Sequence, residues 1–378
     1  MPRLLLLKQV VCQPEKPYSG GHTHAAGATV AEHSNHCCNE RVHTRLPMAN
    51  YIWRQRFKFE RMIREYLWSE GFEETRTPLL VKSPGLEPHI CPLEVKSYGS
   101  AVFLPTSPEF AMKKLLAKGM SKIFQICPAF RNEPLSPDHH PEFTMLEIYE
   151  TQISLEFLQT RIEGLFQHLA KNLSGSFILP FRGEKIDLSG SWRRVRVVDL
   201  FLEHVLIDLR TYQDAASLAS ICLQHGLSCD AGDSWDDLYF KLWLNLIEPK
   251  LPKNKPLYVT HYPLTQSSLC NPVQDETGFT WANRFELYVG NFELGNAFDE
   301  LRDPKKQREN FEHDQRARRE IYGERYPESP IDEEFLAAVQ AMPATCGIAL
   351  GLDRMAMIFL NANTLDEVLP LQSHWTQR

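Results

Sequence analysis

Residues 130–150, FRNEPLSPDHHPEFTMLEIYE, place an arginine, several carboxylates and two histidines among alternating apolar residues. In the second half of this span, Leu146 and Ile148 alternate with Glu147 and Tyr149. That alternation is typical of a strand with one buried face and one polar face. A carboxylate on the polar face can bind the ammonium of an amino acid or the exocyclic amine of a base. The span therefore predicts a polar cleft that binds amines.

The first half of the span alternates in the same way, with Arg131 and Glu133 on one side of a predicted strand and Asn132 on the other. Residues 134–141 contain proline, serine, aspartate and histidine and cannot continue a ladder, so they predict a loop between two antiparallel strands. The arginine then faces the same cavity as the carboxylates of the second strand. Because a guanidinium offers paired donors, this cavity can also hold a phosphate.

A second acidic pair lies in residues 284–301, RFELYVGNFELGNAFDEL, where two strand-like runs flank a turn at Gly290. Glu286 belongs to the first run and Glu293 to the second, so both carboxylates can converge on one metal ion. Magnesium is held by one or two protein carboxylates, and water and triphosphate oxygens fill its other positions. On spacing alone, two exposed strand glutamates are the alternative.

The elements that position these residues begin with an amphipathic helix from Tyr51, whose apolar residues recur at helical spacing until Gly71 ends the run. A strand is predicted over residues 71–80, ending at Pro78.

A second helix is predicted after Thr106 or Ser107, either of which can cap it, with Pro108 in the first turn and Glu109 near the positive end of the dipole. Glu109 has two interpretations, compensation of that dipole and contact with a substrate. Residues 123–129 then predict an apolar strand that leads into the arginine.

The other segments carry no comparable chemistry. Residues 153–256 predict helices and loops around a weak strand, and we interpret them as a helical insertion within one catalytic domain, residues 48–378. Residues 303–322 predict a charged helix whose interspersed signs favour a solvated surface over a nucleic-acid interface.

The chain has 378 residues, 43% of them hydrophobic, and a formal net charge of −7, which argues against a sequence-independent nucleic-acid surface. It contains no transmembrane span, and its leucines at positions 4–7 are too short a run for a signal peptide, so we expect a cytoplasmic protein with reduced cysteines. Residues 1–47 lack apolar periodicity and predict a disordered tail or a mis-assigned start. A metal-binding tract is the alternative for the tail, although it has no CxxC or HxxxH pair.

The span 130–150 resembles motif 2 of the class II aminoacyl-tRNA synthetases, and within them the lysine branch, whose pattern is FRNE, a short loop and HxPEFTxxExY. Residues 347–360, GIALGLDRMAMIFL, resemble motif 3, a strand ending in a glycine before an Asp-Arg that opens a helix. The helix and strand of residues 51–80 resemble the dimer-forming motif 1. This resemblance, over residues 52–369, implies an α+β fold with an antiparallel sheet of about six or seven strands flanked by helices.

The resemblance further implies an AMP-forming ligase that uses ATP with Mg²⁺ and makes an aminoacyl-adenylate. Arg131 and Arg354 would be the catalytic residues, gripping the α- and γ-phosphates. The other implied ATP-binding residues are Asn132, Glu133, His139, His140, Phe143, Glu293, Leu294 and Gly351. The implied substrate-binding residues are Ser107, Pro108, Glu109, Glu147, Tyr149, Asn296, Glu300 and Ala349, and the implied metal ligands are Glu286 and Glu293. The sequence departs from the pattern at His140, where an asparagine is usual.

The acceptor of the activated amino acid is indicated by two features. A lysyl-tRNA synthetase has an N-terminal OB barrel, for which the residues before Tyr51 are too irregular. A stand-alone catalytic domain of this branch resembles the enzymes that transfer (R)-β-lysine to a lysine of elongation factor P. In that group the strand before the motif 3 glycine reads ALG, as it does at Ala349, whereas tRNA-charging enzymes have glycine first. We therefore expect elongation factor P as the partner, (R)-β-lysine or lysine as the substrate, and a homodimer that engages neither a membrane nor tRNA.

Three other functions stay open. A lysyl-tRNA synthetase-like enzyme would charge tRNA. A tRNA-independent amide synthetase such as asparagine synthetase A would lack the three substrate glutamates. A non-catalytic amino-acid sensor would lose the phosphate arginines, and both are present.

Overall fold

The computed structural model describes residues 48–370, except residues 98, 291 and 324–328. The tail predicted over residues 1–47, with its histidines and cysteines, lies outside the described residues. So do residues 371–378, the end of the predicted catalytic domain. Within the described ranges, none of the helices combines the length and hydrophobicity needed to cross a membrane.

A mixed sheet of nine strands forms the centre of the fold. Its strands are β1 (Glu73–Glu74), β4 (Lys122–Phe130), β5 (Glu142–Thr151), β8 (Arg193–Arg196), β9 (Leu257–Tyr262), β10 (Pro272–Gln274), β11 (Thr280–Val289), β12 (Phe292–Asp299) and β13 (Thr345–Gly351). Their order is β1-β4-β5-β13-β12-β11-β9-β8, and β10 pairs with β11. Two separate hairpins are β2 (Glu94–Ser97) with β3 (Ser100–Phe103) and β6 (Ile178–Phe181) with β7 (Glu184–Asp187).

The predicted antiparallel sheet of about six or seven strands is therefore wrong in strand number and in direction at both edges. β1 runs parallel to β4 and β8 runs parallel to β9, whereas the pairs between them are antiparallel. Each parallel pair is joined by a long connection that contains helix, as parallel neighbours require. Because β1 has two residues and β8 has four, neither shows enough alternation to identify its partner from sequence.

The α-helices flank this sheet. They are α1 (Met48–Ser69), α2 (Glu109–Ala117), α3 (Leu155–Ser174), α4 (Val197–His204), α5 (Ala215–Gln224), α6 (Trp235–Leu242), α7 (Pro304–Tyr322), α8 (Glu333–Ala341), α9 (Leu352–Leu360) and α10 (Leu365–Val368).

The amphipathic helix predicted from Tyr51 is confirmed as α1. Its apolar stripe, which includes Phe59 and Ile63, is buried in the main core with residues of α3, α9 and the inner face of the sheet. Gly71 ends the helical region with a φ of 83°, a value that favours glycine. On the same helix, Tyr51 and Phe57 stay exposed.

Two predicted strand segments differ from the structure. The strand expected over residues 71–80 is reduced to β1, and Arg131 lies beyond the end of β4, as do the next two residues of the FRNE sequence. The N–H of Arg131 donates to the carbonyl of Pro141 at 2.8 Å, but proline has no N–H to return a ladder bond. The strand therefore ends where the loop begins.

The range 153–256, predicted as an insertion, contributes to two cores. Helix α3 packs in the main core, and strand β8 joins the central sheet. Helices α4 to α6 enclose a second core with the far strands, in which the rings of Phe201 and Tyr239 stack at 5.2 Å.

Candidate active site

One transverse row of side chains crosses four neighbouring strands of the central sheet. Glu286 of β11 lies opposite Asn296 of β12, which lies opposite Ala349 of β13, which in turn lies opposite Glu147 of β5. Directly paired residues of a sheet share one face. The sheet thus brings together residues that were predicted to bind a metal ion and an amino acid.

The opposite face of the same strands is apolar. Leu146 and Ile148 of β5 and Leu350 of β13 lie in the main core. The predicted division of β5 into a core face and a polar face is therefore what the structure has, and the side of the sheet that this polar face lines is called the cleft below.

Three carboxylates converge at one end of this cleft, and each is almost fully buried: Glu109 at the start of α2, Glu147 on β5 and Glu300 just after β12. The ammonium of Lys113 lies between two of them, 2.5 Å from Glu109 Oε1 and in an ion pair with Glu300. The hydroxyl of Tyr149 donates to Glu147 Oε2 at 2.8 Å. These five residues, Glu109, Lys113, Glu147, Tyr149 and Glu300, are called the acidic pocket below.

The acidic pocket has more negative than positive groups. Burial raises the pKa of Glu147, and the nearby Glu109 carboxylate raises it further. Burial also raises the pKa of Glu300, to about 8, although the ammonium of Lys113 opposes the shift. For Lys113 itself, burial lowers the pKa, but the carboxylates of Glu109 and Glu300 outweigh burial and raise it. The lysine stays charged, and the carboxylates can ionise together only when a further cation enters.

Several acceptor atoms in the pocket have no donor among the residues that the structure describes. They are Oε1 of Glu147, Oε1 of Glu300 and Oδ1 of Asn296, all of them buried. Buried acceptors are nearly always hydrogen-bonded in folded proteins. A ligand that brings N–H donors and positive charge would satisfy these atoms and the pocket's charge at once.

Two residues of this pocket were not identified from sequence. Lys113 could have been found, because it lies four positions after Glu109 on one helix face, the spacing of an ion pair. Gly347 could not have been found, because the need for glycine there comes from residues that are distant in sequence. A Cβ there would lie 2.2 Å from the ring of Tyr149 and 2.6 Å from Glu300 Oε1, so only glycine leaves room for both.

The helix that carries Glu109 starts differently from the prediction. Pro108 occupies the capping position and provides no side-chain bond, while the hydroxyl of Ser107 accepts the N–H of Glu109 at 3.2 Å. The hydroxyl of Thr106 instead donates to the carbonyl of Pro84 at 2.5 Å. Glu109 is thus held at the helix start with its carboxylate toward Lys113.

The two predicted phosphate arginines lie beside the motif 2 loop. The guanidinium of Arg131 lies 5.1 Å from the ring centre of Phe143, and its Nε is buried without a hydrogen-bond partner in the described part of the chain. Arg354 is held by the loop, since its Nη2 lies 2.6 Å from His139 Nε2 and its Nε donates to the carbonyl of Asp138. An orphaned guanidinium N–H is a donor for an anion such as a phosphate.

The other residues predicted to bind ATP differ in whether their side chains are available to a ligand. The ring of His140 contacts Asp366, with 3.1 Å between Nε2 and Oδ1, which gives the side chain a partner within the protein. The side chain of Leu294 packs in the main core, so only its backbone is near the cleft. The backbone N–H of Asn132 donates to the carbonyl of Cys91 at 2.7 Å, and that of Glu133 donates to the carbonyl of Arg131 at 2.8 Å.

Gly351 lies where β13 meets α9, above the same cleft. A Cβ there would meet no described atom closer than 3.8 Å, the carbonyl of Leu294. The space over this glycine is therefore open to a ligand that approaches the backbone.

The predicted metal ligands lie on adjacent strands. Both oxygens of Glu286 have partners, Arg284 at 2.6 Å and the hydroxyl of Tyr288 at 2.7 Å. Glu293 is paired with Tyr288 in the sheet register, and its carbonyl accepts from Arg354 Nη1 at 3.1 Å. The two predicted ligands are thus carboxylates on neighbouring strands, a donor set that suits a magnesium ion, which takes most of its ligands from water and triphosphate. Among the described residues, no larger cluster of metal-ligating side chains was found.

Comparison with known proteins gives two kinds of match. Residues 35–373 match the family model of tRNA synthetases class II (D, K and N). The elongation factor P–(R)-beta-lysine ligase of Sodalis glossinidius is 33% identical over 332 residues, 85% of this chain and 94% of that protein. The protein of the same name from Pectobacterium carotovorum subsp. carotovorum is 33% identical over 316 residues, 81% of this chain and 90% of that protein. The lysine–tRNA ligase of Dehalococcoides mccartyi is 30% identical over 311 residues, 81% of this chain and 61% of that protein.

Proposed function

The chain belongs to the family of class II tRNA synthetases (D, K and N), and from this premise we propose that it activates (R)-β-lysine or lysine with ATP and transfers it to elongation factor P. The observation that carries the proposal is the acidic pocket, in which three carboxylates are buried and one lysine is paired with two of them. A diamino acid brings the two ammonium groups that this pocket lacks. The relatives matched over most of their length are named as ligases of this substrate and acceptor.

The reaction would proceed in two steps. The carboxylate of the amino acid attacks the α-phosphorus of ATP, the bond to pyrophosphate breaks, and an aminoacyl-adenylate forms. The ε-amine of a lysine on elongation factor P then attacks the aminoacyl carbonyl, and AMP leaves. Positioning and charge stabilisation supply most of the rate in phosphoryl chemistry of this kind, so we assign no general base in the first step.

Each group of side chains has a role in that reaction. Arg131, whose Nε has no partner among the described residues, would bind the α-phosphate where negative charge develops. Arg354, fixed by the motif 2 loop, would bind the γ-phosphate. Phe143 would stack on the adenine, and Glu133 would accept its amine. The acidic pocket would hold the amino acid by its ammonium groups and so aim its carboxylate at the nucleotide.

Magnesium, held by Glu286 and Glu293, would offset the negative charge of the triphosphate. Arg284 and Tyr288 hold the Glu286 carboxylate in place on β11. The carboxylate is thus oriented before the nucleotide arrives.

Three observations bear on the open alternatives. Both arginines lie beside the cleft, in contrast to what a non-catalytic sensor would need. All three glutamates belong to the acidic pocket, which does not suit an amide synthetase for aspartate. The tRNA-charging alternative rests on the similarity to the lysine–tRNA ligase, at 30% identity, and is decided by the choice of acceptor in the experiment below.

The deciding experiment supplies the purified chain with ATP, magnesium and either (R)-β-lysine, lysine or aspartate, and measures pyrophosphate exchange. The active amino acid is then offered with elongation factor P or with lysine tRNA as the acceptor. We expect exchange with (R)-β-lysine and a mass increase of one lysyl residue on elongation factor P. The proposal would be contradicted if the lysine tRNA became aminoacylated while elongation factor P stayed unmodified.

A further inference from the structure

Lys113 is an unusual lysine, because its side chain is only 1% exposed and contacts two carboxylates, those of Glu109 and Glu300. Its ammonium also lies 5.9 Å from the ring centre of Phe335 on helix α8. The adjacent Lys114 has the ordinary arrangement, an ion pair with Asp332 at 2.7 Å that is partly open to solvent. A fully buried lysine is rare unless it is paired, and here it has two partners at once.

The number of charges around Lys113 decides what the pocket can bind. When Glu109, Glu147 and Glu300 are all ionised, the one ammonium of Lys113 leaves two negative charges in the buried pocket. A diamino acid carries two ammonium groups, so it neutralises these charges. Without Lys113, one carboxylate would have no cation even with such a substrate bound, and an uncompensated buried charge is strongly unfavourable.

We propose that Lys113 is a positioning residue that sets the charge of the acidic pocket to match a diamino acid. Its ammonium also fixes the positions of the Glu109 and Glu300 carboxylates, which then bind the two ammonium groups of that substrate. This inference rests on the proposed function. Lys113 acts through the two carboxylates and does not itself contact the reacting atoms.

The surroundings of Lys113 explain why its charge cannot be replaced by another group. The charged groups that act on Lys113 are the carboxylates of Glu109 and Glu300, and the guanidinium of Arg284 acts on the same neighbourhood through Cys270. The titratable groups that face Lys113 and its two partners are Glu87, Glu109, Glu147, Tyr149, Cys270, Asp299 and Glu300. Loss of the ammonium therefore favours protonation of Glu109 or Glu300, and a protonated carboxyl binds an ammonium poorly.

The test replaces Lys113 by methionine, which keeps the length of the side chain and removes its charge. In pyrophosphate exchange, we expect KM for the amino acid to rise at least about tenfold while KM for ATP stays unchanged. We also expect the rising limb of kcat/KM against pH to move upward by about one pH unit or more, because Glu109 and Glu300 lose their stabilising cation. Lys114→Met is the matched control and should leave all three quantities unchanged.

If Lys113 served only in folding, the Lys113→Met molecules that do fold would have the same dependence of kcat/KM on pH as the unsubstituted enzyme. Lys113→Met with the wild-type KM and an unshifted profile would overturn the inference. Lys113→Ala supplies a second test, since ethylammonium can enter the vacated space. Recovery of kcat/KM with ethylammonium supports the inference, and a folded variant that gains nothing contradicts it.

One measurement needs no variant. With two negative charges in the pocket, cadaverine should inhibit the unsubstituted enzyme more strongly than pentylamine, and equal inhibition would contradict the charge count. The unsubstituted chain also separates the two proposals. If it shows no exchange with lysine or (R)-β-lysine, the proposed function fails, whereas normal exchange with an indifferent Lys113→Met variant rejects only the role of Lys113.

Discussion

Arg131 combines two properties that suit a transition state with growing negative charge. Its guanidinium is placed by the ring of Phe143, and its Nε has no partner among the described residues. We expect Arg131→Ala to lower the rate of adenylate formation at least about a hundredfold, because such a contact contributes on the order of 3 kcal/mol. Pyrophosphate exchange measures this step, and the exposed Arg193 provides a control in Arg193→Ala. Normal pyrophosphate exchange by the Arg131→Ala variant would show that Arg131 does not bind the α-phosphate.

Ala349 lies between Asn296 and Glu147 in the row across the sheet, which is the position expected for a residue on the floor of the amino-acid pocket. In the proposed site, its methyl group would reduce the space available to the amine of α-lysine, and (R)-β-lysine carries that amine one carbon further along. One methyl group discriminates by about 1–3 kcal/mol, or roughly 10- to 200-fold.

We therefore expect the unsubstituted enzyme to favour (R)-β-lysine, and Ala349→Gly to narrow or invert the ratio of the two kcat/KM values. Exchange kinetics with both amino acids measure this ratio. A preference for α-lysine that the substitution leaves unchanged would remove the pocket's support for (R)-β-lysine, although lysine activation itself would stand.

The raised pKa of Glu300, about 8, makes substrate binding depend on pH. Because an ammonium binds the ionised carboxyl, kcat/KM for the amino acid should rise with pH as Glu300 loses its proton. It should fall again when the substrate amine is deprotonated at about pH 10. Glu300→Gln should lower kcat/KM and remove the rising limb near pH 8. A rate that is flat between about pH 6 and 9 would show that Glu300 is already ionised in the free enzyme.

At the scale of elements, the sequence predicted those whose pattern is local. Helix α1 and strand β4 were predicted from their apolar periodicity, and the polar face of β5 from its alternation. The edge strands β1 and β8 lie within predicted strand segments, but their parallel pairing was missed because it depends on long connections. Gly347 was missed for a related reason, since the ring that occupies its Cβ position belongs to another strand.

Asp353 shows how elements distant in sequence hold the site. Its Oδ1 accepts from Arg56 Nη2 of α1 at 2.6 Å, and its Oδ2 accepts the N–H of Thr144 on β5 at 2.6 Å. Both charged side chains are buried, at 3% and 4% exposed. Asp353 lies in the first turn of the helix that carries Arg354, so this bridge fixes Arg354 relative to α1 and β5.

We expect Asp353→Ala to lower the free energy of unfolding by about 3–5 kcal/mol, since it leaves the Arg56 charge buried without its main partner. Urea unfolding followed by circular dichroism measures the change. Glu65→Ala, which removes an exposed ion pair with Arg61, should alter stability by less than about 1 kcal/mol. Equal stability of the Asp353 variant and the unsubstituted chain would mean that the bridge contributes nothing net.

At the scale of the whole molecule, exposed apolar side chains bear on assembly. Tyr51, Phe57 and Trp68 of α1 are exposed at 63%, 56% and 50%, and Leu79 and Leu80 follow in the same segment. This segment resembles the dimer-forming motif, and exposed apolar side chains grouped in one segment are what a protein–protein interface would cover. A two-fold dimer would cover the same patch on both copies.

We predict a homodimer through this segment, with about twice the chain mass of 43.6 kDa by sedimentation at micromolar concentration. Replacing both Tyr51 and Phe57 by aspartate should yield a folded monomer, because charges would then be buried at the two-fold interface. Leu206 and Leu223 are also exposed, at 78% and 62%, but lie in the helical part of the chain, so the same double replacement there should leave the dimer intact. An unsubstituted chain that sediments as a monomer would exclude the dimer, and dissociation by the Leu206 and Leu223 variant alone would place the interface on the helical side of the molecule.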